Sequence, residues 1–104
     1  SDPGMATTEM DIPDFGQSIP ALKEVREHID ELDNELIALL QRRSELSARA
    51  GHAKRANGAP VLDPGREAEL MRQRGEWAEQ NGLPADVVQA IFRQILAMSR
   101  RAQG

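Results

Sequence analysis

The chain has 104 residues, a formal charge of −4, 39% apolar and 29% charged residues, two phenylalanines, one tryptophan and neither tyrosine nor cysteine. That composition suits one helical domain with an aliphatic core and excludes a disulfide framework, thiolate zinc ligation and a cysteine nucleophile. The acidic balance, with no Lys/Arg run set among aromatics, argues against nucleic-acid binding; no apolar run approaches the roughly 18 residues of a membrane span, and no secretion signal is visible, so a cytoplasmic protein is expected.

Residues 1–17 show no periodicity. Ser1 to Gly4 precede a methionine in the manner of an expression remnant, and Pro13 and Gly16 interrupt the residues after it, so a flexible segment is expected there. The folded domain is expected over 18–104. Ser18 suits a helix N-cap, with Pro20 just inside the first turn. From there Leu22, Val25, Ile29, Leu32, Leu36, Leu39, Arg43, Leu46, Ala50 and Ala53 step by threes and fours, the inner stripe of a helix that runs to about Arg55 and stops at Asn57-Gly58. At about 1.5 Å per residue this is a rod of roughly 50 Å. A domain of this size has a radius of gyration of about 13 Å, so the remaining chain is too short to cover the stripe. The simplest cover is a second copy of the same helix.

A second helix is expected from the Asp63 cap and Pro64 to a stop before Asn81-Gly82, with a weaker stripe of Leu70, Met71, Trp77 and Ala78; Trp77 is expected to pack on the bundle or to stand at a pocket rim. A third opens near Leu83-Pro84 and carries Val87, Val88, Ile91, Phe92, Ile95 and Leu96, and the same steps lead on to Ser99 and Gln103. The fold class is therefore all-α, three helices with a very long first one.

Arg43 stands where the stripe calls for a leucine. A guanidinium there needs an anionic partner or costs several kcal/mol in lost solvation. Glu45 or Glu67 would be an ordinary partner; a bound anion is the other. Lys54 lies eleven residues on, nearly a whole number of turns, so both cations share a face about 16 Å apart in rise. Arg26 lies about 25 Å before Arg43 and about 42 Å before Lys54 along the rod, too far to share a pocket with Lys54 except across an antiparallel dimer. Asp63, Arg66 and Glu67 share one face of the second helix's first turn, and Ser99 and Gln103 are one turn apart on the third. Each has a plainer role: a cap for Asp63, solvated surface for Arg26, Lys54 and Arg66, an unremarkable helix end for Ser99 and Gln103. His28 and His52 lack a second histidine at ligand spacing and read as surface residues, so no metal is expected.

From Leu22 to Gln103 the chain resembles the AroQ-type, all-helical chorismate mutases. The likeness is carried by the block Arg26 to Asp33, the run Leu36 to Arg43, the turn Gly51-His52-Ala53-Lys54, and Pro60 to Glu67. The resemblance implies an intertwined antiparallel homodimer with two equivalent pockets, working without cofactor in aromatic amino acid biosynthesis from shikimate. It implies that Arg26 crosses the dimer to a substrate carboxylate, that Arg43 fixes a carboxylate, and that Lys54 and Gln103 contact the ether oxygen. Asp63 and Glu67 would stand near the ring hydroxyl, Arg66 on the charged wall and Ser99 near the ring carboxylate. Leu62 departs from relatives that carry an arginine before the loop aspartate, a loss of secondary charge, and Gln103 is the penultimate residue of the sequence.

The implied reaction, chorismate to prephenate, breaks an ether C–O bond as a C–C bond forms and needs no nucleophile or proton transfer. Lys54, Gln103 and Arg43 are the expected catalytic groups, holding a folded dianion and stabilising charge on the ether oxygen. Isochorismate pyruvate-lyase and aminochorismate mutase on the same fold are the alternatives, and Trp77 to Leu83 resembles the helix-two terminus of some of the lyases. A non-catalytic dimerisation module, or a regulatory subunit for a pathway enzyme, is the alternative of another class.

Overall fold

The computed structural model describes residues 21–60 and 63–104; the N-terminal segment 1–17, Ser18, Pro20 and Leu62 lie outside them. Three α-helices follow in chain order: α1 Leu22–Ala56, α2 Pro64–Gln80 and α3 Ala85–Gln103. There is no strand among the described residues. The chain divides into two compact units, one ending at Leu39 and the other running from Leu40 to Gly104, so α1 contributes to both.

In the first unit α1 has no buried residue. Leu22 is 62% and Leu36 54% exposed, and Ile29 and Ile37 are exposed beside them. Its polar side carries short-range pairs: Lys23 Nζ lies 4.0 Å from Glu27, and His28 Nδ1 lies 3.6 Å from Glu31. Both acids are well exposed, in keeping with a solvated face.

In the second unit the remainder of α1 stands with α2 and α3. Two Asn-Gly pairs end helices in the same way. Gly58 and Gly82 both take φ of 70°, a left-handed conformation that a side chain would disfavour. After α1 the N–H groups of Gly58 and Ala59 reach back to the carbonyls of Arg55 (3.3 Å) and Lys54 (2.8 Å). After α2 those of Gly82 and Leu83 reach Glu79 (3.0 Å) and Ala78 (2.8 Å). This paired pattern satisfies carbonyls that a helix end otherwise leaves without partners.

The core between α2 and α3 is small. Leu70 is 2% exposed, Ala78 is buried with it, and Gly75 gives room for Gln89. A Cβ on Gly75 would lie 2.5 Å from Gln89 Nε2, which donates to the Met71 carbonyl at 3.0 Å. The expected stripe on α3 is buried along one edge only: Val88, Phe92, Ile95 and Leu96 are partly covered, whereas Val87 and Ile91 are about half exposed. The apolar arc of α3 is wider than one neighbouring helix can cover.

Candidate functional site

Within the second unit a cavity of about 440 Å³ opens between the three helices. From α1 it is lined by Arg43, Ala50 and Lys54, from α2 and its cap by Asp63, Arg66, Glu67 and Arg74, and from α3 by Leu96, Ser99, Arg100 and Gln103. Seven of the eight residues expected at a site therefore meet here. Arg26 lies on α1 in the first unit and is not part of this lining.

Arg43 is half-buried and donates from Nη1 to Ser99 Oγ. Ser99, 6% exposed, donates its own proton to the Ile95 carbonyl at 3.0 Å, which fixes the hydroxyl as an acceptor towards the arginine. The acids expected as ordinary partners are engaged elsewhere. Glu45 accepts from Gln41 at 2.7 Å, and Glu67 accepts from Arg100 Nη1 at 3.0 Å. The bond that Arg43 makes to Ser99 orients the guanidinium, and among the described residues no carboxylate is paired with it. Burial, and then the nearby Arg66 cation, push its pKa below the ordinary arginine value.

Lys54 Nζ stands 3.4 Å from Gln103 Oε1, so the last turns of α1 and α3 bring an ammonium and an amide to one wall. Asp63 has two roles at once. Its Oδ1 accepts the Arg66 backbone N–H at 3.0 Å, capping α2, while the residue also lines the cavity. Pro64 takes the first helical position, where a missing N–H costs nothing.

Arg74 and Arg100 were not among the expected residues. Asp63, Glu67, Leu70 and Arg74 step by four, three and four along α2, and Arg74 also falls between Leu70 and Trp77 at helical spacing, so it interrupts the apolar stripe of α2 as Arg43 interrupts that of α1. Extending the face of the cap by two turns identifies it. Its guanidinium carbon lies 4.4 Å above the Trp77 ring and 5.7 Å from the Phe92 ring, and its Nε has no hydrogen-bond partner among the described residues. Burial first, then Arg66 and Arg43, push its pKa down. Trp77, 47% exposed, is a platform for this cation more than a core residue. Arg100 is positioned by its pair with Glu67 across α2 and α3, which no local pattern encodes.

Five cationic side chains and two carboxylates thus surround one small cavity. One carboxylate is shared with Arg100, and two of the arginines are electrostatically disfavoured by a third. Such a field favours a small, multiply negative organic molecule. The arrangement offers forked donors for carboxylates, an ammonium–amide pair, and a carboxylate wall for hydroxyl groups. No helix among the described residues is long and apolar enough to cross a membrane.

Residues 25–104 match the chorismate mutase type II family. The chain is 38% identical over 79 residues to the T-protein of Haemophilus influenzae, covering 76% of this chain and 21% of that protein. It is 37% identical over 75 residues to the isochorismate pyruvate lyase of Pseudomonas aeruginosa, covering 72% and 73%. To the chorismate mutase of Methanocaldococcus jannaschii it is 26% identical over 85 residues, covering 82% and 86%. The chain therefore spans about a fifth of the length of the T-protein it matches.

Proposed function

The chain belongs to the chorismate mutase type II family, and on that premise we propose that its cavity binds chorismate and converts it to prephenate by an intramolecular sigmatropic rearrangement. The observation that carries the proposal is the convergence of Lys54 and Gln103 on the cavity in which Arg43, among the described residues, donates to the neutral hydroxyl of Ser99.

Arg43 grips one carboxylate through its fork, with Ser99 beside the ring carboxylate. As the ether bond lengthens, negative charge grows on its oxygen, and Lys54 and the Gln103 amide donate to it. Because both donors are in place before reaction, they favour the transition state over the ground state. Asp63 and Glu67 receive the ring hydroxyl, and Arg66 adds to the positive wall. The helical body over 18–104 is the catalytic domain, acting in the cytoplasm in aromatic amino acid biosynthesis.

The active form is a homodimer in which two first helices run antiparallel and Arg26 of each copy reaches the cavity of the other. The exposed Leu22, Ile29 and Leu36 support this, since a stripe of that kind is unfavourable in water. Isochorismate pyruvate-lyase is the second reading, favoured by a relative of that name covered over 73% of its length.

Turnover of chorismate, isochorismate and aminochorismate by the purified chain tests the assignment. Prephenate from chorismate is the expected result. Cleavage of isochorismate alone would make the protein a lyase. Binding without turnover, relieved by adding another enzyme of the pathway, would make it a regulatory subunit.

A further inference from the structure

One turn of α1 holds the last turn of α3 through residues that do not line the cavity. Gly51 is the one buried residue of α1. A Cβ there would lie 2.8 Å from Gln103 Cβ and 2.9 Å from its Cα, closer than packed atoms approach. Arg55 donates from Nη1 to the main-chain carbonyl of Gln103. Gly51, Lys54 and Arg55 have i, i+3 and i+4 spacing, so one helix face carries a seat, a contact and a latch for the same residue.

The latch answers a definite need. The terminal carbonyls of a helix lack partners within it, and last turns fray. Among the described residues the Gly104 N–H lies 3.3 Å from the Arg101 carbonyl, with Gly104 at φ 85°. A guanidinium on the terminal carbonyl supplies the missing donor and lies at the negative end of the helix dipole. Neither Gly51 nor Arg55 lines the cavity, and both touch Gln103, which does.

We propose that Gly51 and Arg55 are positioning residues that set the register of the last α3 turn and thereby the approach of the Gln103 amide to Lys54. The kinetic part of this proposal rests on the reaction assigned above; the structural part does not. A displacement of about 1 Å at a reacting group can lower a rate by up to roughly a hundredfold, so a frayed turn would be felt in kcat.

The test combines kinetics on chorismate with amide hydrogen exchange, using Arg55→Ala, Arg55→Lys, Gln103→Ala and the Arg55→Ala/Gln103→Ala pair. Arg55→Ala is expected to lower kcat about tenfold with a smaller change in KM, and Arg55→Lys to recover much of the loss. In the Gln103→Ala background, Arg55→Ala should cost nothing further, because its effect passes through the missing amide. Exchange at Ala102 and Gln103 should accelerate in Arg55→Ala while Leu70 stays protected. Gly51→Ala should act in the same direction on both readouts. Losses that multiply in the double variant, or an unchanged last turn in Arg55→Ala, would overturn the proposal. Should the wild-type chain leave chorismate unchanged, the assigned reaction fails, and exchange at the last turn still decides the latch.

Discussion

Arg43 and Arg74 are cations placed in apolar stripes, at positions where packing alone would favour leucine. Their surroundings differ. Arg43 is oriented by a buried hydroxyl, whereas Arg74 lies against two aromatic rings with Nε lacking a hydrogen-bond partner among the described residues. Replacing Arg74 by leucine removes a desolvated charge that Arg66 and Arg43 already disfavour. Arg74→Leu is therefore expected to raise the melting temperature in thermal denaturation and to raise KM for the dianion, as the positive field weakens. In the proposed reaction Lys54→Ala removes a donor to the developing charge, so kcat should fall by about a hundredfold or more, roughly 3 kcal/mol. Steady-state kinetics beside a circular dichroism melt would check it, and near-normal turnover would refute the role. The exception formed by Arg43 was legible in the stripe. Its partner was not, because Ser99 is 56 residues away in sequence and only the packing of α3 against α1 brings it near.

At the scale of the element, α2 shows how a short local signal can carry both a boundary and a site residue. Asp63, itself in an extended backbone conformation, accepts the Arg66 N–H at the start of α2 and lines the cavity. Asn is as good a cap as Asp, whereas Ala offers no acceptor. Asp63→Ala should thus lose about 1 kcal/mol of stability while Asp63→Asn keeps it. Both should weaken activity equally if the carboxylate matters for the substrate. Urea denaturation of the two variants beside their kcat/KM separates cap from charge. The stops of α1 and α2 and the start of α2 matched expectation, because an Asp cap and Asn-Gly stops act over a few residues, whereas α1 starts at Leu22, after the expected Ser18 cap, and α3 starts after Pro84 with no side-chain cap. The inner stripe of α3 did not fare as well. Periodicity shows which residues share a face, but how much of that face is covered depends on the neighbour, and Val87 and Ile91 remain half exposed.

For the whole molecule, the exposed stripe of the first unit and the composite-site proposal make one linked prediction. On that proposal, an Arg26→Ala chain and a Lys54→Ala chain each lack a group that every cavity would need. Mixed and allowed to exchange, they should form heterodimers in which one of the two cavities is intact, so activity should reappear. Absence of recovery, with exchange verified by native mass spectrometry, would argue against a shared site. A charge such as Leu36→Glu should also lower dimer stability at low protein concentration, measured by sedimentation.

The amino-acid order by itself determined the helix class, the Asp63 start of α2, the two Asn-Gly stops, the long amphipathic α1 and the anomaly at Arg43, because each arises from interactions within one or two helical turns. It also set Asp63, Glu67 and Arg74 on one face of α2. Only the tertiary structure decided that Arg43 would meet Ser99 instead of an acid, that Glu67 would pair with Arg100, and that Gly51 and Arg55 would hold the end of α3 beside Lys54. Those contacts join residues more than thirty positions apart. Their partners are selected by packing, shape and the cost of leaving a buried polar group unmet, none of which has a period along the chain.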